Sequence, residues 1–147
     1  MLALLQRVTE ARVSVAGDVV GQIGPGLLVL VGVQPGDGPL QARRLADRLL
    51  GYRVFDDADG RMNLSLADTG GGLLLVPQFT LAADTDRGRR PSFTRAAEPE
   101  PAQARAMFDC LVEAARASHA VVATSRFGAY MQVSLTNDGP VTFLLRV

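Results

Sequence analysis

Apolar positions along the chain fall into three patterns. Two stretches, residues 27–31 (Leu27, Leu28, Val29, Leu30, Val31) and 73–76 (Leu73, Leu74, Leu75, Val76), are apolar at every position. Such runs suit strands covered on both faces, and the second is expected at the centre of a sheet. Residues 3–8 and 12–15 are rich in aliphatic side chains, with Val13 and Val15 alternating with polar neighbours. A turn at Gly17-Asp18 and a return over 19–23 complete a hairpin signature. Helical spacing is the third pattern. Ala42, Leu45, Ala46 and Leu49 share one face, Arg43, Arg44, Asp47 and Arg48 lie elsewhere, and Pro39 suits a first turn, so a helix is expected from 39 to 50. A second helix opens at Glu98-Pro99-Glu100-Pro101 and carries Met107, Cys110, Leu111, Ala114 and Ala115 on one face.

The remaining segments punctuate these elements. Gly24-Pro25-Gly26 is a break, residues 52–55 read as a short strand, and Leu64 and Leu66 alternate with Asn63 and Ser65. Asp56-Asp57-Ala58-Asp59-Gly60 is a turn; the bidentate Glu that would close a calcium loop is missing. Gly70-Gly71-Gly72 is a turn, and His119, Val121 and Ala123 begin the last sheet segment. Residues 82–97 show no period and hold Arg87, Arg89, Arg90 and Arg95; a loop of that length in a compact domain is functional or disordered. Near the end, Asn137-Asp138-Gly139-Pro140-Val141-Thr142 separates two strand-like runs, 130–136 and 141–147. Every residue type in its first half is a turn former, so a hairpin turn is the plain reading. The sharper reading is a rigid element, cis at Gly139–Pro140, that presents backbone carbonyls to a ligand; X-Pro is the one bond for which cis is cheap. The expected architecture is a single α+β domain over residues 1–147, with a mostly antiparallel sheet and two helices packed on it.

Composition narrows the function classes. Fifteen basic and fifteen acidic residues cancel, which is not the footprint of a general nucleic-acid binder, although a local basic patch remains open. Every basic residue is Arg, whose planar fork pairs well with phosphate. Cys110 is alone, so no internal disulfide forms, and one His with one Cys cannot build a zinc site. The apolar start, Met1 to Leu5, stops at Gln6-Arg7, too short for a signal segment, and no later run approaches a membrane span. A cytoplasmic protein is expected.

Candidate chemistry is sparse. A Ser-His-Asp triad would have to use His119, and no G-x-S-x-G is present. No P-loop or dinucleotide fingerprint occurs. Cys110 reads as a small core residue. What remains is Pro77-Gln78-Phe79-Thr80, where an apolar strand leaves the core. Exposed backbone N–H groups at such a strand end can hold an oxyanion without any ionisable side chain. The residues alone thus point to a ligand site near 77–81.

Several motifs, in order, resemble the D-aminoacyl-tRNA deacylase family over essentially the whole chain. They are Leu4-Leu5-Gln6-Arg7-Val8, Gly51-Tyr52-Arg53-Val54-Phe55, Met62-Asn63-Leu64, and Gln78-Phe79-Thr80-Leu81-Ala82-Ala83-Asp84-Thr85. Arg90-Pro91-Ser92-Phe93, Phe127-Gly128-Ala129, Met131-Gln132-Val133-Ser134-Leu135 and Asn137-Asp138-Gly139-Pro140-Val141-Thr142-Phe143 continue the match. The resemblance implies a homodimer with a β-barrel-like sheet and helices to one side. It implies hydrolysis of the ester joining a D-amino acid, or glycine, to the 3′ end of tRNA. The residues themselves offer no metal site, and no cofactor is expected. It places the reaction at Gln78, Phe79 and Thr80. It makes Gly139-Pro140 a Gly-cisPro motif that reaches the partner's active site, braced by Arg7. Pro77 stands where many members carry Ser, so no role of that hydroxyl carries over. A relative with relaxed chirality has Pro-Gln followed by Ala, so Phe79 marks the ordinary deacylase. Arg87, Arg89 and Arg90 are candidate tRNA phosphate contacts. Two rival classes stand beside this one: a non-catalytic nucleic-acid-binding module linked to replication, as reported for some relatives, and a deacylase of free D-aminoacyl or N-acyl small molecules.

Overall fold

A computed structural model describes residues 1–86, 88–93 and 100–147. The elements are β1 (Leu2–Val15), β2 (Asp18–Ile23), β3 (Gly26–Gly32), α1 (Pro39–Gly51), β4 (Phe55–Asp56) and β5 (Met62–Leu64). They continue with α2 (Leu66–Thr69), β6 (Gly72–Pro77), a 3-10 turn (Phe79–Ala82), α3 (Pro101–Ser118), β7 (Val122–Thr124) and β8 (Gln132–Arg146).

The main sheet runs in the order β2-β1-β3-β6-β7, and β8 pairs with the other edge of β1. It is mixed: the pairings made by β1, to β2, β3 and β8, are antiparallel, as expected for most of the sheet, and the other two, β3–β6 and β6–β7, are parallel. The cause is connectivity: α1 lies between β3 and β6, and α3 lies between β6 and β7. A helical crossover returns the chain to the same end of the sheet and leaves successive strands parallel. The two fully apolar runs are β3 and β6. Their side chains alternate between two cores, with Leu27, Val29, Val31, Leu73 and Leu75 beneath the helices. Leu28, Leu74 and Val76 point the other way, against Val8, Val13 and Ile23.

The sheet curls until it is nearly a barrel. β2 comes back against β7, and a Cβ built on Gly21 would lie 2.4 Å from the Thr124 carbonyl oxygen. Glycine is therefore required at this seam. Helix α1 follows the expected face, burying Ala42, Leu45, Ala46, Leu49 and Leu50, and the Gln41 side chain accepts the Gly38 N–H at 3.1 Å. Helix α3 buries Phe108, Leu111, Val112 and Ala115, with Met107, Cys110 and Ala114 only partly covered. Its buried face is thus rotated slightly from the expected one, because the large Phe108 and Val112 pack inward. The proposed opening residues Glu98 and Pro99 lie outside the described residues.

Three further expectations change. Leu66 begins a short third helix, α2, capped by Ser65 and Asp68: Ser65 Oγ accepts the Asp68 N–H at 3.2 Å and Asp68 Oδ2 accepts the Ser65 N–H at 2.8 Å. The short strand expected over 52–55 starts only at Phe55 and pairs with β5. Most consequentially, residues 137–142 are not a hairpin turn. They lie inside the single long strand β8, which pairs with β1 on both sides of them.

Gly21→Ala should shift the urea midpoint downward by the equivalent of about 1–3 kcal/mol, the range for an overpacked contact, with an unchanged m-value. A wild-type midpoint would show that the β2–β7 seam is open.

Candidate functional site

Strand β6 leaves the core at Pro77. Proline ends the ladder cleanly because it has no N–H to leave unpaired. The next residue keeps one more bond to β3, Gln78 N–H to the Val31 carbonyl at 2.7 Å. The chain then tightens into the 3-10 turn, with Leu81 N–H to the Gln78 carbonyl at 3.2 Å and Ala83 N–H to the Thr80 carbonyl at 3.2 Å. Gly32, at the end of β3, makes room for this turn: a Cβ there would sit 3.2 Å from Leu81 Cβ and 3.3 Å from the Gln78 carbonyl.

This geometry sorts the backbone donors. The Gln78 N–H is consumed by Val31, so it is not free to hold an oxyanion. The N–H groups of Phe79 and Thr80 open the turn, where no acceptor exists within the turn itself. The Thr80 hydroxyl accepts the side-chain amide of Gln78. An amide NH2 donates and cannot take a proton, so nothing in this contact turns Thr80 into a nucleophile.

Pro77, Gln78 and Phe79 line a cavity of about 550 Å³. The other walls come from β3 (Val31, Val33 just beyond it), α3 (Ala104, Phe108) and the segment before β8 (Phe127, Tyr130, Met131). Phe93 also borders it, and its ring lies 5.6 Å from that of Phe79, which is 63% exposed. Among the described residues lining the cavity there is no Asp, Glu, His, Cys or Arg. It is a mostly apolar pocket, with Gln78 contributing a side-chain amide, large enough for a small organic ligand. Sequence reasoning did not foresee the roles of Phe93, Phe108, Phe127, Tyr130 or Met131. Most of them stood within recognisable motifs, but motif membership does not say which wall a side chain forms.

Gly139, Pro140 and Arg7 are elsewhere. The Gly139–Pro140 peptide bond is cis, and Gly139 has φ +129°. Arg7 is buried and makes contacts from several sides. Its Nη1 donates to the Val54 carbonyl at 2.8 Å and lies 3.4 Å from Asp56 Oδ2. Its Nε lies 3.0 Å from the Asp138 carboxylate and 3.3 Å from the Asp138 carbonyl. Arg7 and Asp138 border a separate hollow of about 310 Å³. Neither Gly139 nor Pro140 lines the Gln78 cavity of the same chain.

The remaining candidates are peripheral to both places. Arg89 and Arg90 are exposed on a loop closed by paired bonds between Asp84 and Ser92, at 2.8 and 2.9 Å. Arg87 lies outside the described residues. His119 caps α3 and its Nε2 lies 2.7 Å from the Gly71 carbonyl, a structural tie distant from any nucleophile signature. Asp57 accepts the N–H groups of Arg61 and Asp59, and these bonds, Arg61 foremost, hold its carboxyl below the ordinary value. The Asp56–Gly60 segment is thus a self-satisfied turn. No cluster of three potential metal ligands occurs among the described residues, and none of the described helices is long and apolar enough to cross a membrane.

Comparison with known proteins identifies the family. The family model described as D-Tyr-tRNA(Tyr) deacylase matches residues 4–146. D-aminoacyl-tRNA deacylase from Thioalkalivibrio sulfidiphilus is 66% identical over 100% of this chain and 97% of that protein. Its counterpart from Methylococcus capsulatus is 64% identical over 99% and 94%. A solved structure described as c-Myc DNA Unwinding Element Binding Protein superposes with TM-score 0.93 at 35% identity, covering 100% and 99% of the two chains. A probable eukaryotic D-amino acid tRNA deacylase shares the fold, with TM-score 0.85 at 17% identity over 98% and 97%. The chain belongs to the D-Tyr-tRNA(Tyr) deacylase family, and its activity is hydrolysis of the ester bond of D-aminoacyl-tRNA.

Proposed function

We propose that the chain, one domain over residues 1–147, works in the cytoplasm as a homodimeric chiral proofreader. In this reading it releases D-amino acids and glycine from tRNA and spares L-aminoacyl-tRNA. The observation that carries it is the cavity at Pro77, Gln78 and Phe79, whose described lining offers no carboxylate, imidazole, thiol or guanidinium. The substrate is an activated ester, so a pair of aimed backbone donors is substantial help. One oxyanion donor is typically worth about 3–4 kcal/mol of transition-state stabilisation. The Phe79 and Thr80 N–H groups take that role, and the 2′-hydroxyl of the terminal adenosine helps activate water.

Selection falls to Gly139-Pro140 of a second copy. Two features support a partner there. The strand around the motif, β8, exposes Val133, Leu135, Phe143 and Leu144, an apolar edge of the kind that associates. The motif is also held firmly by Arg7 from below. Backbone cannot move aside as a side chain can, so an L side chain colliding with it is rejected, a D side chain points away, and glycine passes. Arg89 and Arg90, with Arg87, are candidate phosphate contacts for tRNA. DNA-unwinding-element binding belongs to the description of one solved relative; zero net charge and few aromatics do not favour it for this chain.

D-Tyr-tRNA and Gly-tRNA should be deacylated while L-Tyr-tRNA is not; comparable rates on D-Tyr and L-Tyr esters would defeat chiral exclusion. Thr80→Val should keep most of the D-Tyr rate, because only the Thr80 N–H is used, and a large loss in kcat would reinstate the hydroxyl. The trans arrangement is read by mixing two variants. Phe79→Pro removes an oxyanion donor at a position where a turn tolerates proline. Gly139→Ala places a Cβ 2.9 Å from the Val141 nitrogen at a positive φ. Each alone should be nearly inactive or unselective. Their equal mixture, after subunit exchange, should regain about a quarter of wild-type selective activity, because two-fold symmetry leaves one intact site in half of the dimers. No recovery in a mixture shown to exchange subunits would place the motif in cis.

A further inference from the structure

Asn137 has a role that neither the cavity nor the Arg7 brace explains. β1 and β8 pair in register from Leu2 opposite Arg146 to Gln6 opposite Thr142, meet at Val8 opposite Asn137, and after a further shift pair again from Glu10 opposite Thr136 to Ser14 opposite Gln132. Between the Gln6–Thr142 and Val8–Asn137 pairs β1 contributes only Arg7, whereas β8 contributes Asp138, Gly139, Pro140 and Val141. The β8 segment therefore bulges out of the ladder. A bulge interrupts the ladder hydrogen bonds, so its shape depends on whatever replaces them. Asn137 provides replacements. Its Nδ2 donates to the Arg7 carbonyl at 2.9 Å and to the Val141 carbonyl at 3.1 Å. One amide group thus joins the near end of the bulge to its far end and to the strand opposite. The Arg7 guanidinium holds Asp138 within the same segment, through both its carbonyl and its carboxylate. Gly139 and Pro140 are the residues between these two anchors.

We propose that Asn137 is a positioning residue for chiral selection: its amide fixes the direction in which the Gly139-Pro140 backbone is presented, and so sets the ratio of D to L turnover. The inference rests on the reading of Gly139-Pro140 as the selector. Asn137 itself touches no substrate. Both N–H groups of its amide are engaged by carbonyl oxygens, so an ionised Asp of the same shape replaces attraction with repulsion. Loss of the clamp loosens the bulge without touching the Phe79 and Thr80 donors. The D rate is therefore largely kept while L substrates gain access.

The experiment compares wild type, Asn137→Asp, Asn137→Ala and Gly139→Ala on D-Tyr-tRNA and L-Tyr-tRNA, with melting temperature recorded for each. The expected result is an L-to-D ratio of kcat/KM raised at least about tenfold in both Asn137 variants, a change that uniform destabilisation does not produce. Asn137→Ala removes the donors without adding charge and carries the test should the Asp variant not fold. A ratio within about twofold of wild type, or parallel loss with both substrates, overturns the role of Asn137. If Gly139→Ala shifts the ratio and the Asn137 variants do not, only the clamp falls. If Gly139→Ala also leaves the ratio unchanged, the selector reading falls with it.

Discussion

Two strands that cannot show either face to water govern this molecule. β3 and β6 are adjacent, parallel and apolar throughout, with one set of side chains under the helices and the other inside the curled sheet. A fully buried Leu or Val contributes about 1.5–3 kcal/mol. Exposing one face of the pair would therefore forfeit an amount comparable with the whole net stability of an ordinary domain, about 5–15 kcal/mol. Both covers are obligatory. The helices α1 and α3 form one, and the closure of β2 onto β7 forms the other. The parallel pairing follows, because the covering helices are also the connections.

The chemistry is located by the same constraint. β6 ends where its cover ends, and the chain that emerges there is the Gln78–Thr80 turn at the lip of the apolar cavity. Pro77 closes the ladder, Val31 takes the Gln78 N–H, and Gly32 admits the turn. The donors left over are those of Phe79 and Thr80, held by strands deep in the core. A site of this kind needs little from side chains. Its precision comes from backbone fixed to a rigid sheet, which is where preorganised donors act best.

The Arg7 frame is built where β1 pairs with β8. Arg7 is buried with its charge matched by Asp138 and Asp56 and its Nη1 donating to the Val54 carbonyl. The two carboxylates are half exposed, so water shares in screening their charge, while the guanidinium itself is buried. The network ties two parts of the chain to the bulge in β8: the first strand and the β4–β5 ribbon. Asn137 completes the frame from the other side. Within one chain the frame and the Gln78 cavity do not meet: none of Arg7, Asn137, Asp138, Gly139 and Pro140 lines that cavity.

The linear order of residues already determined much of this. Apolar runs at 27–31 and 73–76 required doubly covered strands, helical spacing located α1 and most of α3, and the lack of any acid–base constellation directed attention to backbone at 77–81. Recognisable motifs then named the family. What the order of residues could not settle was decided by pairing partners. The alternation within one strand does not say whether its neighbour runs parallel or antiparallel; the crossovers of α1 and α3 decided that. Turn-forming residues at 137–140 looked like a hairpin because Asn, Asp, Gly and Pro favour turns locally. Continuous pairing of β8 with the fourteen-residue β1 turned them into a bulge instead. The Gln78 N–H was a plausible oxyanion donor until the Val31 carbonyl took it. Local preference is a property of a few adjacent residues, whereas hydrogen-bond ownership depends on which distant strand arrives alongside, and only the tertiary structure decides that.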